Sequence, residues 1–128
     1  MDVFEIEYEK NPSIDGEKPD FVVPNLVTLM REPIKAVILS IKREVRERWR
    51  ESVGEAYILR KIHKIPDNIW FITLRCDIEE YAVKTLSELD MRIYIPDECY
   101  EQFRHITKAK PLSLLFNNLL QYGKSRAH

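Results

Sequence analysis

From Val3 to Glu9 the chain alternates, with Phe4, Ile6 and Tyr8 on one side and Glu5, Glu7 and Glu9 on the other. A period of two predicts a half-buried strand with an acidic solvent face. Lys10 to Asp20 holds Asn11-Pro12, Asp15-Gly16 and Pro19 without apolar periodicity, the composition of an exposed loop. Between about Glu32 and Val53 the period lengthens, and Ile34, Val37, Ile38, Ile41, Val45 and Trp49 recur at three and four residues. That spacing predicts a long amphipathic helix with Pro33 in its first turn and Gly54 as its stop. Ala56–Ile65 and Ile69–Cys76 are rich in Ile, Tyr, Trp and Phe around Pro66-Asp67-Asn68, and read as a hairpin. Asp77 and Glu80 have the spacing of a capping box, and Ile78, Tyr81, Ala82, Leu86 and Leu89 supply the buried stripe of the helix behind them. Met91, Ile93 and Ile95 then alternate with Asp90, Arg92 and Tyr94 up to Pro96, which predicts another strand. Two helices follow: one runs from a cap at Asp97 through Cys99, Phe103 and Ile106, the other from about Ser113 through Leu115, Phe116, Leu119 and Leu120 to a stop at Gly123.

Strand, helix, strand, strand, helix, strand is the order of ferredoxin-like folds. The expected class is therefore α+β, a four-stranded antiparallel sheet with helices on one face, followed by two carboxy-terminal helices. A single domain is expected over residues 1–128, with 1–89 as an α/β core and 90–128 as a strand-helix-helix segment. So little chain separates Leu89 from the next strand that no linker divides the two parts.

Composition refines this picture in three respects. The 128 residues are 45% hydrophobic and 10% aromatic, enough apolar side chain for a core, which excludes disorder throughout. The net charge of −1 hides a segregation: residues 1–30 carry two bases and seven acids, 31–64 ten and five, 65–103 three and nine, and 104–128 five bases and no acid. Two basic blocks of this kind either neutralise acidic surfaces within the fold or form a face for phosphate. The apolar run Ala36–Leu39 is far below the roughly 20 residues of a bilayer span, and the acidic start Met1–Glu5 lacks a leader pattern. A cytoplasmic location without membrane contact is expected. The 32% of charged residues and the presence of only Gln102 and Gln121 as glutamines lean toward a thermophile.

Candidate chemistry is sparse. His63, His105 and His128 have no His or Cys at helical or hairpin ligand spacing, so no metal site or cofactor is expected. Cys99 and His105, six apart on one predicted helix, face away from each other. The pairs Glu79-Glu80 and Asp97-Glu98 fall in first helical turns, where carboxylates are favoured by the exposed amides. Three glycines assemble no phosphate-cradling loop. The run Lys42–Arg50 alternates bases with acids that pair along the predicted helix, a solvated face. No set of nucleophile, base and anion site emerges, and the expectation is a protein that is not an enzyme.

Residues 90–123 resemble the ribbon-helix-helix family of DNA-binding proteins. The resemblance rests on an alternating strand ended by Ile95-Pro96, the helix start Asp97-Glu98, the pattern Tyr100, Phe103, Ile106, and a second helix opening at Leu112-Ser113. It implies that strands from two subunits pair and enter the major groove of double-stranded DNA, with Asp90, Arg92 and Tyr94 on the reading face and Ser113 beside a phosphate. An arginine there can pair with guanine through two hydrogen bonds. The same apolar face, Met91-Ile93-Ile95, serves either such a dimer ribbon or the main sheet. The expected function is thus a homodimeric transcription regulator. The alternative is a non-catalytic assembly subunit whose interface is Leu112, Leu115, Phe116, Leu119 and Leu120, since a helix apolar on more than one face wants a partner.

Overall fold

The computed structural model describes residues 8–10, 20–42, 49–61, 64 and 68–126. One six-stranded sheet organises them in the order β1(Glu9–Lys10), β2(Phe21–Val23), β3(Val37–Lys42), β4(Ile69–Thr73), β5(Arg92–Ile95), β6(Ala109–Pro111). β1, β2 and β3 pair antiparallel, whereas β3 to β6 are parallel throughout. Parallel neighbours need crossovers, and these contain α2(Trp49–Lys61), α3(Glu80–Glu88) and α4(Asp97–Tyr100). α1(Leu26–Arg31) lies between β2 and β3, and α5(Leu115–Arg126) closes the described chain behind a 3-10 turn at Leu112–Leu114.

Two apolar clusters flank the sheet. Val22, Ile38, Phe71, Ile93 and Ile95 face α2, α3 and α4 with Trp49, Ala56, Leu59, Ala82 and Leu86. Val37, Leu39, Trp70, Ile72 and Tyr94 face α5 with Leu115 and Leu119. The α+β class holds, but the ferredoxin-like antiparallel sheet with helices on one face does not. The reason lies in β3 and β4. Both faces of a central parallel strand are covered, so alternation disappears, and Val37-Ile38-Leu39 and the fully buried β4 read as unbroken apolar runs. Of the predicted helix over 32–53, the described residues form a 3-10 turn at Pro33–Lys35, strand β3 and the first residues of α2 from Trp49, and residues 43–48 lie outside the described residues. The predicted hairpin over 56–76 is the rest of α2 and β4, and its turn at 66–67 lies outside the described residues, as does most of the first predicted strand. Gly54 and Gly123 lie inside α2 and α5 rather than at their ends.

Local chemistry fixes the ends of the elements. The Asn25 side chain accepts from the Thr28 amide at 2.8 Å, and Glu9 Oε1 accepts from the Leu26 amide at 2.9 Å, so α1 is capped twice and tied to β1. The N-cap of α3 is Glu79, not Asp77, and it makes no side-chain capping bond. It ends with Asp90 in the left-handed region (φ 61°), where the Asp90 and Met91 amides donate to Ser87 and Leu86 carbonyls at 3.0 Å each. This double bond pattern needs a positive φ, which aspartate tolerates better than most residues. The helix expected over 97–106 is a single turn, α4. A disulfide joins Cys76, after β4, to Cys99 of α4. No helix among the described residues is long and apolar enough to cross a membrane.

Candidate active site

In parallel sheets, ligands collect where strands end at their carboxyl edge. Here that edge also receives the start of the antiparallel strand β2. The register Phe21↔Leu39 sets Asp20 opposite Ser40. Asp20 Oδ2 accepts from the Ile41 amide at 2.7 Å, a side-chain continuation of the β2–β3 ladder. The other carboxylate oxygen has no partner among the described residues.

Lys42, the last residue of β3, is half-buried and makes no ion pair among the described residues. Period two puts Ser40 and Lys42 on the face of β3 that carries Ile38, toward α2. Lys42 pairs in register with Thr73 of β4, and Thr73 is fully buried with its hydroxyl donating to the Arg75 carbonyl at 2.9 Å. Arg75 is thereby held at the rim of the same edge.

The covering helix adds a second carboxylate. α2 buries Trp49, Ser52, Ala56 and Leu59, a stripe at spacings of three and four. Ser52 Oγ lies 3.1 Å from Ser40 Oγ, which docks the first turns of α2 on β3. Glu55 follows one turn after Ser52 on the same side of the helix and is half-buried. Asp20, directly before β2, and Ser40 and Lys42 of β3 share this edge of the sheet, and Glu55 follows on α2 one turn after the serine that touches Ser40. Among the described residues no group of three His, Cys, Asp or Glu side chains gathers as a metal cage. A pair of carboxylates is a different donor set: hard oxygens of the kind that hold Mg²⁺ together with waters and substrate phosphate.

The residues expected to read DNA lie elsewhere. Tyr94 is fully buried under α5. Its hydroxyl accepts from Asn118 Nδ2 at 2.9 Å and from Arg92 at 3.2 Å, and the Arg92 guanidinium lies 4.3 Å over the Trp70 ring. Asp90 is the turn residue after α3. The Ser113 amide donates to Asp97 Oδ1 at 2.9 Å, so the helix-start donor foreseen for phosphate is already engaged. A bond from the Ser113 hydroxyl, and after it that from the Ser113 amide, holds the Asp97 carboxyl below its ordinary range. β5 lies between β4 and β6, leaving no edge for a ribbon with a second subunit. Leu115 and Leu119 are buried, and Leu112, Phe116 and Leu120 pack partly buried beside them on the chain's own sheet, so the partner sought by that apolar helix is internal.

Sequence reasoning missed Asp20, Lys42 and Glu55. It placed Asp20 in a loop and Lys42 on a solvated helix. The available signal was Pro19-Asp20 directly before Phe21-Val22-Val23, and a lysine closing the apolar run of β3.

The family described as EcoRII C terminal has a sequence profile that matches residues 1–119. No curated protein matches the chain. Among solved structures, a complex of the restriction endonuclease PspGI with substrate DNA is 30% identical, with a TM-score of 0.87 over 96% of this chain and 57% of that one. Metal-depleted Ecl18kI in complex with uncleaved DNA is 18% identical, with a TM-score of 0.76 over 94% of this chain and 40% of that one. The chain thus spans little more than half the length of PspGI. These matches overturn the ribbon-helix-helix resemblance and the transcription regulator built on it. They also overturn the expectation of a protein outside enzyme families, because the relatives are restriction endonucleases.

Proposed function

This chain belongs to the EcoRII C-terminal family, and from that premise we propose that it binds duplex DNA and carries the phosphodiester-cleaving site of a restriction endonuclease. Asp20, Lys42 and Glu55 form that site. The observation that carries the reading is the bond from the Ile41 amide to Asp20 Oδ2, which fixes a half-buried carboxylate beside Lys42 where the sheet opens. The solved PspGI complex, which contains substrate DNA, supports duplex DNA as the ligand.

The donor set fits a divalent cation. Asp20, with one oxygen committed to the backbone, and Glu55 would hold it. When bound, such an ion supplies charge neutralisation at the phosphodiester and a water of lowered pKa. Lys42 places a positive charge where negative charge develops on the phosphoryl oxygens during in-line attack. The backbone bond to Asp20 keeps this carboxylate in place before substrate arrives, so its orientation needs little reorganisation during the reaction. The test is cleavage of plasmid DNA by the purified protein with Mg²⁺ or with EDTA. Cleavage with Mg²⁺ that Asp20→Asn abolishes is expected. Equal cleavage by wild type and Asp20→Asn, or none by wild type, rejects the site.

A further inference from the structure

Ser40 and Ser52 are each 3% exposed and sit in an otherwise apolar seam between β3 and α2, among Ile38, Trp49, Ala56 and Leu59. Two alanines would fill such a seam without any polar group to satisfy, and replacing both partners of a buried hydrogen bond by apolar groups is often nearly neutral for stability. What the hydroxyl pair adds is direction. Methyl contacts allow a helix to slide or rotate by fractions of an ångström, whereas a 3.1 Å bond between two short side chains fixes both its rotation and its axial register.

Each serine is also the near neighbour in sequence of a charged group on its own element. Ser40 is two residues before Lys42 on one strand face, and Ser52 is one turn before Glu55 on one helix face. We propose that the Ser40–Ser52 hydrogen bond is a positioning contact of the site, which registers α2 on β3 so that the Glu55 carboxylate is held against Asp20 and Lys42. The inference rests on the function proposed above. Ser40 and Ser52 touch no substrate in this account; they act through Glu55.

The experiment compares Ser52→Ala, the double variant Ser40→Ala/Ser52→Ala and the hydroxyl-keeping Ser52→Thr with wild type. Three readouts are taken: the melting temperature, Mn²⁺ binding without DNA by calorimetry, and plasmid cleavage against Mg²⁺ concentration. Positioning partners of metal ligands change metal affinity by roughly 10–100-fold. The double variant is expected to fold, to bind Mn²⁺ about tenfold more weakly, and to show a lower kcat with the KM for DNA unchanged. Ser52→Thr restores both affinity and kcat. Glu55→Gln is expected to cost less in the double-alanine background than in wild type, because the two changes act through one group. A double variant with wild-type Mn²⁺ affinity and wild-type kcat overturns the proposal, even if its melting temperature moves. Should Ser52→Ala fail to fold through its orphaned Ser40 hydroxyl, the double variant, which removes both hydroxyls, still decides. A wild type that neither binds Mn²⁺ nor cleaves DNA rejects the site itself and this inference with it, whereas an active wild type matched by the double variant rejects only the positioning role.

Discussion

The two faces of the sheet carry polar groups of opposite character. Toward α5, Arg92 and Asn118 both donate to the Tyr94 hydroxyl and Arg92 covers Trp70, so each of these three groups has an internal partner. Toward α2, Lys42 makes no ion pair among the described residues, and Asp20 commits only one oxygen, to backbone. A closed network rigidifies a core, while unspent charge at a strand edge is available to a ligand. From residue types alone the first set looked the more functional, because an arginine and a tyrosine on an alternating strand suit base recognition. The difference lies in what surrounds each group, not in its chemistry.

The comparison is broken most forcefully at Asp20. Asp20→Asn keeps the acceptor for the Ile41 amide but removes the charge, and DNA cleavage with Mg²⁺ is expected to fall on the order of 10³-fold while the melting temperature stays near that of wild type. On the other face the expected effects invert. Tyr94→Ala empties a fully buried site and should cost about 3–5 kcal/mol of stability by chemical denaturation. Tyr94→Phe loses only the hydroxyl, which leaves Asn118 and Arg92 short of an acceptor, at about 1–2 kcal/mol, with cleavage by the folded protein unchanged. Arg92→Ala should cost about 1 kcal/mol through the lost ring contact and leave DNA affinity by fluorescence anisotropy unaltered; a marked loss of affinity would return Arg92 to the DNA surface.

The smallest effect concerns Asp97. Its carboxyl is held low by bonds from Ser113, so the carboxylate form stabilises the fold above the ordinary aspartate pKa, and that contribution disappears as pH falls through the lowered value. Asp97→Asn is therefore expected to melt slightly below wild type near neutral pH, with the gap closing in acid. A gap that widens in acid would mean that Asp97 is held by something other than Ser113.

How legible the molecule was depended on burial. β5 and α3 could be read because Met91, Ile93 and Ile95 alternate in register with polar neighbours and Ala82 and Leu86 recur at helical spacing. α5 was read from the same kind of recurrence, but its apolar surface was assigned to a foreign partner because no sequence pattern shows that Val37, Leu39 and Trp70 wait beneath it. β3 was misread because its two buried faces erase alternation, and its Ile34-Val37-Ile38-Ile41 spacing coincides with a helical one. That error carried the site with it. Asp20 and Glu55 stand 35 positions apart in the sequence, and what relates them is the β2–β3 register and the docking of α2 on β3, whereas the candidate pairs visible in the sequence are adjacent acids and nearby His and Cys residues. Tyr94 misled for the reverse reason: alternation places it on the opposite face from Ile93 and Ile95, but that face is covered as well.

The most direct measurement is a crystal of this protein soaked in Mn²⁺, with the ion located by its anomalous scattering. The account predicts a peak within coordination distance of Asp20 and Glu55, at the edge of the sheet where Lys42 ends β3. A peak coordinated elsewhere, or none beside Asp20 in crystals of a protein that cleaves DNA with Mn²⁺ in solution, would contradict it.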